Sequence, residues 1–177
     1  KDLTIEELSK ELEPLGLERF RAEQVLSWVY KKFIYDFDKM LNLSAGARSA
    51  LKGKFYISDL EPIKELISED GTKKFLFGLR DGEKIESVFI PSKNTSTVCV
   101  SSQVGCKFAC KFCASGKNGF VRNLRPAEMV NQVIACRGQA CLAPTEQRRL
   151  TNVVFMGMGE PFDNYDNVLK AVRILNA

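Results

Sequence analysis

Thr97-Val98-Cys99-Val100-Ser101-Ser102-Gln103-Val104-Gly105-Cys106-Lys107-Phe108-Ala109-Cys110-Lys111-Phe112-Cys113 runs from a β-branched segment straight into three cysteines spaced C-x3-C-x2-C. Thr97–Ser101 predicts a short strand, and 102–125 reads as a loop rich in Gly, Cys and basic residues. Three thiolates on one short loop can converge on a single metal centre, and thiolates are the usual ligands of iron–sulfur clusters. Zinc fits less well. It takes a fourth ligand, which Cys99 or Cys136 would have to supply, and its usual paired C-x2-C knuckles are absent, since the chain has one C-x2-C. Three protein ligands on a four-iron cluster would leave one iron open to an exogenous ligand.

Downstream of this stretch the pattern alternates helix and strand. Pro126–Arg137 reads as a helix with proline in its first turn, 138–150 as a polar connection, Asn152–Met156 as a buried strand and Asn164–Leu175 as a second helix. Two βα units in succession imply a parallel sheet. Upstream, Ile63–Ser68, Lys74–Leu79 and Lys84–Ile90 are strands separated by Asp70-Gly71 and Asp81-Gly82, dipeptides favoured in tight hairpin turns, so an antiparallel meander is expected. The first residues read as helical. Thr4 and Glu7 make a capping box before Ile5, Leu8, Leu12 and Leu15, with Gly16 as the stop. A second helix runs from about Glu18 to Phe33, with Phe20, Val25, Trp28 and Val29 on one face. Ser44 caps a third, through Leu51. A small packed helical cap is the simpler reading of these helices, and a nucleic-acid-docking module the alternative. The expected domains are therefore 1–53 (helical), 54–94 (meander and linker) and 95–177 (α/β).

Composition narrows the chemistry. The 177 residues include no histidine, which removes Ser-His-Asp, Cys-His and imidazole acid–base catalysis from this chain. All six cysteines lie between Cys99 and Cys141, which is unlike a disulfide scaffold and fits a cluster site in a reducing cytosol. No apolar run reaches the ~20 residues of a membrane span, and no apolar leader opens the chain, so a cytoplasmic location is expected. The start lacks Met and the last residues read as mid-helix, so a piece of a longer protein is expected. The net charge of +4 is unevenly placed: residues 101–150 carry 8 basic and 2 acidic side chains, whereas the other stretches balance. A basic surround of a reaction centre fits a polyanion such as nucleic acid.

Met156-Gly157-Met158-Gly159-Glu160-Pro161 ends the next expected strand, where glycines permit close backbone approach and Glu160 offers a carboxylate to an ammonium. Together with the cysteine triplet it resembles the radical S-adenosylmethionine (SAM) superfamily. More closely, Cys99–Cys106, Gly119-Phe120-Val121-Arg122-Asn123-Leu124 and Thr151–Pro161 resemble the RlmN/Cfr family, which methylates adenine carbons of large-subunit ribosomal RNA. Its RlmN branch acts on carbon 2 and also on transfer RNA. The resemblance implies an α/β fold built on part of a radical SAM (βα) barrel with parallel strands, preceded by a helical domain and a meander.

The resemblance also implies roles. Cys106, Cys110 and Cys113 would hold a [4Fe–4S] cluster, and Gly159 and Glu160 would bind SAM. Glu86 would be the proton acceptor, and Cys99 the thiol that resolves a covalent protein–RNA adduct. Reductive cleavage of SAM would give a 5′-deoxyadenosyl radical. That radical would activate a methyl group carried on a second cysteine, and this cysteine lies beyond the 177 residues. The piece alone is therefore expected not to complete methyl transfer. Cys136, on a helix, reads as packing, and Cys141 falls in the connection; neither matches a family role. The implied partners are ribosomal RNA, with transfer RNA as a further candidate, and an electron donor such as flavodoxin or ferredoxin, for a monomer with no membrane association. Two alternatives stay open: carbon-8 methylation within the same family, and a non-catalytic iron–sulfur or zinc RNA-binding module.

Overall fold

The computed structural model describes residues 1–93, 95–108, 110–141 and 150–177. Lys1–Asp59 and Leu60–Ala177 form two compact units. In the first, helix α1 (Ile5–Leu12) starts at the expected capping box: Glu7 N–H donates to Thr4 Oγ1 at 3.3 Å and Thr4 N–H to Glu7 Oε2 at 2.9 Å. Gly16, at φ +68°, turns the chain out of the short 3-10 turn Glu13–Leu15. Helix α2 (Phe20–Tyr30) is shorter at both ends than its hydrophobic pattern predicts, and Phe33 at φ +54° bars continuation. Its inward face is Ala22, Val25 and Val29; Phe20 is exposed. Ser44 caps α3 (Ala45–Lys54) through a bond from Ala47 N–H at 3.2 Å. Leu8, Leu12, Val25, Val29, Phe37, Met40 and Leu51 fill the core of this unit.

The second unit is mixed α/β, built on a five-stranded sheet in the order β1-β2-β3-β4-β7. Strands β1 (Pro62–Ile67), β2 (Lys73–Gly78) and β3 (Lys84–Pro91) form the expected antiparallel meander. Its turns differ from the two-residue form. Ser68 N–H donates to Thr72 O at 2.9 Å and Leu79 N–H to Glu83 O at 2.8 Å, so each loop has three residues. Gly71 and Gly82 take the left-handed position at φ +82° and +88°. Each preceding aspartate accepts from the backbone two residues on, Asp70 from Thr72 N–H at 2.9 Å and Asp81 from Glu83 N–H at 3.2 Å.

Strand β4 (Ser96–Cys99) pairs antiparallel with β3 and parallel with β7 (Asn152–Val154). The meander and the parallel pair are thus continuous in one sheet. Helices α4 (Pro126–Cys141) and α5 (Tyr165–Leu175) pack against each other, and α4 lies on the sheet face that buries Phe75, Phe77, Ile85, Ser87, Phe89 and Val98. β7 is not the buried strand its sequence suggests, for Met156 just beyond it is 80% exposed at the sheet margin. The helix expected to stop at Arg137 continues to Cys141, whose side chain lies outside the described residues. The stretch expected to be all loop holds a second, two-stranded sheet, β5 (Gln103–Gly105) with β6 (Phe120–Asn123). These strands are too short and too glycine-interrupted to show alternation. Among the described residues no helix is long and apolar enough to cross a membrane.

Candidate functional site

β5 and β6 form the neck of the cysteine loop. Cys106 N–H donates to Gly119 O at 2.9 Å, closing the loop at its base. Gly105 must be glycine there: it sits at φ +71°, and a Cβ would lie 1.7 Å from Gly119 O. Cys106 and Cys113 are half-buried and Cys110 is exposed. Cys113 N–H donates to Cys110 O at 2.9 Å, which folds the second and third cysteines into one turn. The N–H and hydroxyl of Ser115 and the N–H of Gly116 hold the Cys113 thiol below its usual pKa, favouring the thiolate a metal needs. Among the described residues no three such side chains are grouped tightly enough to hold a metal ion, so the three thiols share a loop without converging. The donor set nonetheless fits a cluster: three thiols, one biased to thiolate, on a closed loop without competing carboxylates.

The Gly157–Glu160 loop lies against the chain that leads into the cysteines. Gly157 N–H donates to Val100 O at 3.1 Å, and Met158 O accepts from Ser102 N–H at 2.8 Å and Gln103 N–H at 3.2 Å. The approach is close enough to require glycine twice. A Cβ on Gly157 would meet Ser101 N at 2.8 Å, and one on Gly159 (φ +95°) would meet Gln103 Cβ at 2.5 Å. The Glu160 carboxylate accepts from Phe162 N–H at 3.0 Å and so caps the 3-10 turn Pro161–Asn164.

Glu86 and Cys99 lie on the same face of the sheet, opposite α4. Cys99 is in register with Val88 on β3 and Val154 on β7, and Glu86, two residues from Val88, projects from the same side. Burial raises the Cys99 thiol pKa. Glu86 pairs with Lys74 at 3.1 Å, both side chains about half exposed. Cys136 is buried on α4, where desolvation first and the Cys99 charge second push its thiol up to about 12, as befits a packing residue.

Several residues that hold the site carry no signal in the sequence. Gln132, fully buried on α4, accepts from Ser101 N–H at 2.7 Å and from Ser87 Oγ at 2.6 Å, and donates to Ser101 O at 3.0 Å. It acts on Ser101 as a neighbouring strand would. The Ser101 hydroxyl donates to Glu86 O at 2.6 Å and accepts from Met158 N–H at 2.9 Å, linking β3 to the glycine loop. Asn164 donates to Ser102 O and Leu124 O, both at 2.8 Å. A polar pair, Asn131-Gln132, set between the apolar pairs Met129-Val130 and Val133-Ile134 is the one available hint.

The basic excess of this region is partly internal. Arg122 makes a bidentate pair with Glu128 at 2.9 and 2.8 Å and reaches Asp81 at 2.6 Å, which raises its pKa further. Lys107 pairs with Asp163. Lys111 and Lys117 are exposed, and so is Phe112, at 93%.

Residues 1–57 match the family described as the ribosomal RNA large subunit methyltransferase N-terminal domain. The probable dual-specificity RNA methyltransferase RlmN of Thermotoga neapolitana is 47% identical over 176 residues, 99% of this chain and 50% of that protein. The dual-specificity RNA methyltransferase RlmN of Nitratiruptor is 46% identical over 188 residues, covering 99% and 51%. A crystal structure of a radical SAM methyltransferase from Sphaerobacter thermophilus superposes with a TM-score of 0.89 at 43% identity, over 99% of this chain and 51% of that one. The chain spans about half the length of the curated relatives it matches. Residues 1–177 are thereby identified as a relative of the RlmN RNA methyltransferases, corresponding to the N-terminal half of those proteins.

Proposed function

We propose that the chain is the N-terminal part of a cytoplasmic radical SAM methyltransferase that methylates adenine carbon 2 of large-subunit ribosomal RNA, and of transfer RNA as a second substrate. The observation that carries this reading is the docking of the Gly157–Glu160 loop on the strand exit that leads into Cys106, Cys110 and Cys113. In this reading the three cysteines hold a [4Fe–4S] cluster, and Gly159 and Glu160 hold SAM, with the Glu160 carboxylate accepting from its ammonium. A reduced cluster, when bound, supplies the electron for reductive cleavage of SAM.

The remaining assignments are those of this chain's own residues. Glu86 accepts a proton on the sheet face it shares with Cys99, where its carboxylate pairs with the Lys74 ammonium. Cys99, its thiol pKa raised by burial, stays protonated and unreactive until an adduct is to be resolved. β4, α4 and β7 form the first part of a (βα) barrel whose other strands, with the methyl-carrying cysteine, belong to the rest of the protein. Residues 1–53 form an accessory helical region, 54–94 the meander and 95–177 the core. The enzyme is a monomer served by an electron donor such as flavodoxin or ferredoxin, with no membrane partner.

The test is anaerobic iron–sulfide reconstitution, followed by electron paramagnetic resonance of the reduced protein with and without SAM. A four-iron signal that shifts on adding SAM, and is lost in Cys106→Ala, is the expected result. Stoichiometric zinc without iron, or a cluster indifferent to SAM in the full-length protein, would overturn the reading in favour of a metal-stabilised RNA-binding module.

A further inference from the structure

Gln103 is fully buried, and both N–H groups and the oxygen of its side-chain amide are hydrogen-bonded. Its Oε1 accepts from Glu160 N–H at 2.9 Å, and its Nε2 donates to Asp163 Oδ2 and Asn123 Oδ1, both at 2.8 Å. Asn123 ends β6, one side of the neck of the cysteine loop. Asp163 turns its other carboxylate oxygen to the ammonium of Lys107, the residue after Cys106. A continuous path of charge-assisted and amide hydrogen bonds therefore runs from Lys107 through Asp163 and Gln103 to the backbone of Glu160. The Gly159 conformation belongs to the same arrangement, because the space a side chain would take there is filled by Gln103 Cβ and Cγ.

We infer that Gln103 and Asp163 are positioning residues that lock the Glu160 loop to the cysteine loop, so that the group binding SAM and the group binding its iron are set at one fixed separation. The inference rests on the function proposed above and goes beyond it: neither residue touches a cofactor in that reading, and both act through Glu160 and Cys106. Only an amide fits position 103, since it must accept once and donate twice in a site closed to water. A glutamate there would keep the acceptor for Glu160 and set a second carboxylate against Asp163.

The experiment uses the full-length protein. The SAM dissociation constant is read from the SAM-induced change in the electron paramagnetic resonance of the reduced cluster, with iron content and thermal melting as controls. Amide hydrogen exchange of 157–163 in cluster-free protein gives a readout independent of the cofactors. Gln103→Glu is expected to raise the dissociation constant about tenfold or more, and Lys107→Met about threefold. Both should keep full iron content and accelerate exchange in 157–163 while that in 62–91 is unchanged. Lys107→Arg should restore the wild-type values. Lys107 is half exposed, so its variants test the link even if Gln103→Glu misfolds. Variants that bind SAM as the wild type does, with unchanged exchange, would overturn the lock and leave the proposed function standing. A wild-type cluster that does not respond to SAM would overturn the proposed function and the lock with it.

Discussion

The interiors of the helical unit Lys1–Asp59 and of the α/β unit Leu60–Ala177 rest on different kinds of interaction. In the helical unit the interior is apolar, and its buried polar residue, Ser9, returns its hydroxyl to Ile5 O of the same helix at 2.7 Å. In the α/β unit Ser87, Ser101, Gln103, Gln132 and Asn164 are all buried and bond across distant segments. Apolar packing is non-directional and tolerates adjustment. A buried amide that must meet three partners allows one arrangement of the loops it joins. The first unit is specified by volume and the second by geometry, which is what a site made of loops requires.

Substitutions can break that contrast at several magnitudes. The largest effect is expected of Gly105→Ala, where φ +71° and the 1.7 Å approach to Gly119 O leave no room for Cβ. A loss above ~4 kcal/mol, with exchange protection lost in 60–177 and kept in 1–59, is the expected outcome; a melt like the wild type's would show that the neck is pliable. A chemical contrast comes next. With its thiol pushed up to about 12 by burial, Cys136 is neutral in the folded protein at pH 8 and should be alkylated far more slowly than exposed Cys110 in cluster-free protein. The sign follows from burial. The neutral thiol is favoured by folding, so this contribution is complete below the unfolded thiol's pKa and fades as pH rises towards 12. Mass spectrometry of the alkylated protein measures it.

Smaller effects sharpen the comparison. Leu12→Ala, at a fully buried position, should cost about 3 kcal/mol, with protection lost in 1–59. Gln132→Leu keeps volume but strands the Ser101 N–H and the Ser87 hydroxyl. It should cost about 2 kcal/mol and weaken the glycine loop's protection, whereas a neutral result would mean that the polar network of the α/β unit is ornamental. Tyr30→Phe is the mildest. The Tyr30 hydroxyl is buried without a hydrogen-bond partner, so its removal should leave stability within about 0.5 kcal/mol or raise it, as measured by denaturant unfolding. A clear loss would reveal a directional interaction in an interior that is otherwise apolar.

What could be read from the chain was what neighbouring residues decide. Thr4 with Glu7 and Ser44 with Ala47 close their bonds within a few residues, and both caps form as their sequence predicts. The three meander strands stand where their alternation places them, because a period of two with Asp-Gly between runs is a local signal. The cysteine spacing and the Gly-Glu-Pro motif were legible for the same reason, as were the residue types a cluster and an ammonium would need. Tertiary structure decided the rest. β5 and β6 exist because Gly119 O and Asn123 lie across from Cys106 and Gln103, a pairing no short window contains. Gln132 is 31 residues from the Ser101 backbone it completes, and Asp163 is 60 residues from Gln103. A buried polar group shows its partner only once the chain has brought that partner near, so its sequence alone reads as a misplaced surface residue.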